Sequence, residues 1–177
     1  LNNVSINILK GTCVGIIGES GSGKSTVVDI ALGLLKPRKG RILLDEKDIS
    51  CELNKYSWQN MVGYVPQEIY LTDASLRSNV AFGIEPSQIV DDRVWKCLQD
   101  ANLKNFVETL PEGLNTMMGE RGTRLSGGQR QRVGIARALY RDPEFIVFDE
   151  ATSSLDLDSE SNIMKIIYGL KKRKTFL

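Results

Sequence analysis

Apolar residues alternate at the start of the chain. Val4, Ile6 and Ile8 fall on every second position and predict a strand, with Lys10-Gly11 as the turn after it. Cys13-Val14-Gly15-Ile16-Ile17 is a short apolar run of the buried-strand kind, and Val27 to Leu35 is mostly apolar and predicts a buried helix. Gly40-Arg41-Ile42-Leu43-Leu44-Asp45, entered through Pro37 to Gly40, reads as another strand, and Met61 to Val65 as a further one. From Gln67 to about Asp142 the spacing turns helical. Asp91 or Asp92 can cap a helix that carries Val94, Leu98 and Ala101, Phe106, Val107 and Leu110 continue the apolar face, and Pro111 with Gly113 ends it. Val133 to Tyr140 is also helical. After Asp142-Pro143, the run Phe145-Ile146-Val147-Phe148 suits a central parallel strand covered on both faces. Ile163, Ile166, Ile167 and Leu170 then form an i, i+3, i+4, i+7 stripe on a core helix. The pattern is α/β with a helical insertion.

The loop between the second strand and the first helix carries chemistry. Gly18-Glu19-Ser20-Gly21-Ser22-Gly23-Lys24-Ser25-Thr26 fits G-x-x-x-x-G-K-[ST], and it lies between a strand and a helix as that motif requires. Glycines let the backbone bend so that successive N–H groups point at phosphate oxygens, and the helix N-terminus adds partial positive charge. Lys24 would reach the β- and γ-phosphates and the Ser25 hydroxyl would ligate Mg²⁺. This implies a P-loop that wraps the phosphates of a nucleoside triphosphate.

Two further constellations agree with that reading. Leu125-Ser126-Gly127-Gly128-Gln129 opens a helix and forms a second anion-binding N-terminus, although a serine N-cap alone would look the same. One nucleotide does not need two such sites from one chain, so the second is expected to serve a nucleotide held by another copy. Asp149 and Glu150 follow the apolar run, at the C-terminal end of a strand, where open α/β sheets bind ligands. Asp149 suits the second shell of Mg²⁺ and Glu150 can polarise the attacking water; a solvated acidic turn is the plainer alternative.

Taken in order, these motifs resemble the nucleotide-binding domain of ATP-binding-cassette (ABC) transporters over nearly the whole chain. Gly18 to Ser25 is similar to Walker A, Gln67 in Val65-Pro66-Gln67 to the Q-loop, Leu125 to Gln129 to the signature, Phe145 to Asp149 to Walker B, and Ser154-Leu155-Asp156 to the D-loop. The resemblance implies ATP as the nucleotide, a P-loop NTPase (RecA-like) core with a mainly parallel sheet (1–66 and 143–177) and a small antiparallel β part, and a helical signature subdomain (67–142). It implies a catalytic set of Glu150, Lys24 and Gln67. Nucleotide contacts would come from Gly18, Ser20, Gly21, Ser22, Gly23, Lys24, Ser25, Thr26, Ser126, Gly127, Gly128, Gln129 and Asp156. Mg²⁺ would be organised by Ser25, Gln67 and Asp149. It also implies a head-to-tail dimer with a second nucleotide-binding domain, and transmembrane domains as partners. Asp149-Glu150-Ala151-Thr152-Ser153-Ser154-Leu155-Asp156 and Gly119-Glu120-Arg121-Gly122 resemble the exporter forms, and Gln67 to Gly83 is similar to bacterial lipid-linked oligosaccharide or polysaccharide flippases.

Composition narrows the field further. A net charge of +1 provides no strong field for nucleic acid or anionic lipid, so no nucleic-acid partner is expected. No apolar run approaches the ~18 residues of a membrane span, and no signal peptide is visible. Cys13, Cys51 and Cys97 lack metal spacing and read as reduced thiols. Lys171-Lys172-Arg173-Lys174 reads as a solvated helix end, and Trp58 and Trp95 as packing residues. The family carries an adenine-stacking aromatic before the first strand and a switch histidine after the D-loop helix, and neither is present here. We therefore expect a fragment truncated at both ends, poorly active by itself and soluble, from a transporter whose ATPase faces the cytoplasm, for instance at a bacterial inner membrane. The alternatives are a soluble non-transport ABC ATPase, which would normally carry Pro after the glutamate, and a catalytically weak regulatory cassette, which Glu150 and an intact signature argue against.

Overall fold

Helix α1 (Lys24–Ala31) follows the glycine-rich loop, and a two-stranded antiparallel hairpin comes next, β1 (Leu43–Leu44) with β2 (Lys47–Asp48). Helix α2 (Glu52–Met61) leads directly into β3 (Val62–Val65). Between β3 and β4 (Phe145–Phe148) lie α3 (Leu76–Val80), α4 (Asp91–Asp100), α5 (Lys104–Glu108) and α6 (Gly127–Leu139). Helix α7 (Leu157–Leu170) then connects to β5 (Thr175–Phe176). The computed structural model describes residues 1–49, 52–151, 156–171 and 173–177.

Strand β4 is the middle of a parallel sheet ordered β3-β4-β5, as its unbroken apolar run predicts. Its side chains alternate between two cores. Phe145 and Val147 meet Val28 of α1, its C-cap Leu32, Ile49 and Trp58 on one face. Ile146 faces the other way, into a cluster that joins Val65 and Phe176 to α6, α7 and the helices of the insertion. Helix α6 approaches the sheet closely at Gly63, where a Cβ would sit 3.0 Å from the Ala138 carbonyl. Burying each large apolar side chain here stabilises the fold by ~1.5–3 kcal/mol.

Several local expectations change. The alternating residues Val4, Ile6 and Ile8 form no strand, because no strand among the described residues pairs with them. In the 13–17 run only Cys13 bridges to Phe176, and the Val14 N–H donates to the Phe176 carbonyl. That ladder stops where β5 stops, and Ile17 is 99% exposed. The strand expected over 40–45 shortens to β1, because Asp45 and Glu46 both take positive φ (47° and 69°) and turn the chain back as β2. Two left-handed residues in succession match the twist of a tight hairpin.

Helix α1 starts at Lys24 and ends at Ala31, short of the predicted Leu35, because Gly33 adopts φ 69° and the chain leaves the helix there. Helix α2 lay outside the predicted pattern. Its sequence is mostly polar, and Trp58 anchors it: the indole N–H donates to the Ala31 carbonyl at 2.7 Å and the ring packs 5.3 Å from Phe145. Helix α4 begins at Asp91, but Val90 is its N-cap and neither aspartate caps it; the Asp91 carboxylate pairs with Arg77 instead.

Candidate functional site

The loop at 18–24 is shaped by its glycines. Gly21 and Gly23 take φ 79° and 94°, conformations that carry a steric penalty for any residue with a Cβ. A Cβ on Gly18 would lie 2.7 Å from the Ser22 hydroxyl oxygen. Gly23 is the N-cap of α1 and offers no side chain, so no side-chain cap competes for the first-turn amides. Ser25 and Thr26 sit in that first turn. The Lys24 ammonium folds back and donates to the Gly18 and Glu19 carbonyls, both at 2.9 Å. The cation therefore lies within the curl of the loop, where a phosphate would otherwise take up its donors.

At the end of β4 the backbone turns sharply. The Asp149 N–H still donates to the Val65 carbonyl at 3.0 Å, continuing the ladder by one residue. Glu150 then takes φ 47°, a left-handed conformation uncommon for a glutamate. The Tyr64 hydroxyl donates to Asp149 Oδ2 at 3.1 Å. Burial, and then the Asp149 charge, push the Tyr64 hydroxyl up to about 12, so it stays protonated and remains a donor. The Gln67 amide donates to Glu150 Oε2 at 3.2 Å, joining residues 83 apart in sequence. Lys24, Asp149 and Glu150 line one cleft of about 260 Å³, floored by apolar residues such as Val28 and Phe148.

This donor set suits a nucleotide with Mg²⁺. Among the described residues no cluster of three or more Asp, Glu, His or Cys forms a closed cation cage. Mg²⁺ is usually bound through one or two carboxylates with phosphate oxygens and water, so a single aspartate beside a phosphate loop is the arrangement it needs.

The Ser126-Gly127-Gly128-Gln129 segment stands elsewhere. Ser126 is the N-cap of α6: its Oγ accepts from the Gln129 N–H at 3.2 Å, and its N–H donates to Gln129 Oε1 at 2.9 Å. This reciprocal pair satisfies two helix-terminal donors. None of these four residues lines the cleft with Lys24. Asp156 caps α7, accepting from the Ser159 N–H and hydroxyl at 2.9 Å each, and these bonds hold its carboxyl below the usual range. Ser159 in turn packs on Gly128, so the two caps are neighbours. Thr152, Ser153, Ser154 and Leu155 of the D-loop region lie outside the described residues, as do Cys51 and Lys172 of the other sequence readings. Cys13 and Cys97 are free thiols.

Sequence reading missed Tyr64, which only the register of β3 against β4 brings to Asp149. It also missed the bond between buried Asn79 of α3 and half-buried Arg137 of α6.

Comparison with known proteins agrees with this geometry. Residues 1–153 match the family model described as "ABC transporter". The chain is 37% identical, over its full length, to a multidrug resistance ABC transporter ATP-binding and permease protein of Lactococcus lactis, and covers 30% of that protein. It is 39% identical to an ATP-dependent lipid A-core flippase of Cupriavidus pinatubonensis, again over its full length and 30% of the relative. A solved structure of a bacterial Atm1-family ABC exporter with ATP bound superimposes with a TM-score of 0.83 at 36% identity, covering 96% of this chain and 29% of that one. The chain spans between 13% and 30% of the length of the curated relatives it matches. Among the described residues no helix is long and apolar enough to cross a membrane. A phosphate-type loop, a strand-end acid pair and this extent of identity have one common explanation: the chain belongs to the ABC transporter family and is its nucleotide-binding ATPase domain, a mixed α/β fold with a parallel sheet and a small antiparallel one.

Proposed function

We propose that this domain hydrolyses the β–γ bond of MgATP at a site shared between two domains packed head to tail, and that the cycle drives export or flipping of a substrate by membrane domains of the parent protein. The observation that carries the reading is the shared cleft of Lys24, Asp149 and Glu150, with the Gln67 amide on the Glu150 carboxylate.

Each residue then has a task. The amides of 20–25 and the Lys24 ammonium hold the phosphates. Ser25, Asp149 and Gln67 would hold Mg²⁺, which when bound neutralises charge on the transferring phosphoryl group. Glu150 orients or deprotonates the attacking water, and its left-handed backbone turns the carboxylate out of the strand line toward the cleft. Phosphoryl transfer has a loose transition state, so positioning and charge stabilisation make up most of the catalysis. Ser126, Gly127, Gly128 and Gln129 sit away from Lys24, which supports their use on the partner domain's nucleotide, with Asp156 beside them at the same interface. The helical segment 67–142 would move relative to the core as the γ-phosphate leaves, through Gln67 at their junction.

Relatives named as exporters and as a lipid A-core flippase favour an amphipathic or lipid-linked substrate, and an ATPase on the cytoplasmic side. The test is Glu150→Gln in the full-length protein. It should bind ATP normally and hydrolyse it at least ~100-fold more slowly, since base assistance is worth ~10²–10⁴-fold. Normal turnover would remove Glu150 from this role.

A further inference from the structure

Asn79 is a fully buried polar residue with a full set of partners. Its amide donates to the carbonyls of Thr72, Ala74 and Ser75 at 3.0, 3.3 and 3.1 Å, and its Oδ1 accepts from the Thr72 N–H at 3.0 Å. It thereby fixes the turn that follows the Gln67 segment. Arg137, near the C-terminal end of α6, grips the same unit. Its Nε donates to the Asn79 carbonyl at 2.8 Å, one terminal nitrogen to the Tyr70 carbonyl at 2.9 Å, and the other to Asn79 Oδ1 at 3.1 Å. The guanidinium also lies 4.8 Å from the centre of the Phe82 ring. One turn earlier on α6, Ile69 fills the space left by Gly134, where a Cβ would come within 2.3 Å of it.

These contacts dock the chain just after Gln67 onto one face of α6 near its C-terminal end. The N-cap of the same helix is Ser126, about 16 Å away at 1.5 Å per residue. A hydrogen-bonded helix of this length transmits displacement as a rod.

Resting on the proposed function above, we infer that Arg137 is a positioning residue: it clamps the Gln67 segment to α6 through Asn79 and Tyr70, so that a shift of Gln67 at one nucleotide moves the Ser126 end of the helix at the other. All its hydrogen-bond partners here are neutral carbonyl oxygens, and burial lowers its pKa. The planar fork, and not charge neutralisation, is what the site uses, and lysine cannot reproduce it.

The test is a double-mutant cycle on kcat for ATP hydrolysis by the full-length protein, with Gln67→Ala, Arg137→Lys and the pair. Val107→Ala, at a fully buried position in α5 with no hydrogen bond to Asn79 or Arg137, is the control for general loosening. Arg137→Lys should lower kcat by about 3- to 10-fold while nucleotide affinity stays within about twofold, and the double variant should be no slower than Gln67→Ala by more than about twofold. Val107→Ala should instead combine additively with Gln67→Ala. Additive losses for Arg137→Lys would overturn the coupling and leave the ATPase reading intact. Full turnover in Gln67→Ala would overturn both. Hydrogen exchange keeps the idea testable if Arg137→Lys does not fold. On ATP binding by the Glu150→Gln protein, amides 70–74 and 134–139 should change protection together, and adding Gln67→Ala should abolish both changes. Persistence of the change in 134–139 alone would contradict the clamp.

Discussion

Lys24 combines two roles that a single substitution separates. In the free loop it bonds the Gly18 and Glu19 carbonyls, and in the proposed complex it exchanges them for phosphate oxygens. Charge-assisted bonds of this kind contribute ~1.5–3 kcal/mol each. Lys24→Ala should therefore weaken MgATP binding at least about tenfold, read by calorimetric titration, and an unchanged affinity would mean that Lys24 does not touch phosphate. Lys24, Asp149 and Glu150 of this cleft were legible because each belongs to a short contiguous motif whose chemistry dictates its neighbours. Tyr64 was not legible. Its bond to Asp149 depends on which strand lies beside β4 and in what register, and neither is written in the local sequence. Asn79 and Arg137, 58 residues apart, were hidden for the same reason.

Among the elements, β3, β4, α6 and α7 follow from their apolar patterns, because each is buried along a face that the pattern marks. The failures fall where burial is slight or partners are few. Helix α2 is mostly polar and is anchored by Trp58, and the segments expected as strands at 4–8 and 13–17 have no full pairing partner among the described residues. At the N-terminal edge of the sheet, Lys174 bonds Asp142 and links β5 to the segment entering β4. That bond, more than the neighbouring Lys96 and Arg93, holds the Asp142 carboxyl below its usual range. A depressed carboxylate stabilises the fold above its unfolded pKa of ~3.9 and loses that contribution as pH falls through the lower folded value. Asp142 is largely exposed, so the effect is small. Lys174→Gln should slightly lower the melting temperature at pH 7, and by less as pH falls below the carboxylate range. An equal loss at low pH would mean that Lys174 acts through packing.

At the scale of the whole molecule, the two helix starts proposed to bind phosphate face different surroundings. The α1 start opens onto the cleft with Asp149 and Glu150, while the α6 start lies with the α7 cap beyond that cleft. A single nucleotide cannot use both in one chain, and a head-to-tail pair lets each nucleotide use one from each. The most direct measurement mixes two full-length variants, Lys24→Ala and Ser126→Arg, and follows MgATP-dependent association of the nucleotide-binding domains, with Glu150→Gln in both to prevent turnover. Neither variant alone retains a complete site, whereas their heterodimer retains one. The account predicts ATP-dependent association in the mixture and in neither parent. Association by either parent alone, or none in the mixture while the Glu150→Gln protein associates, would contradict it.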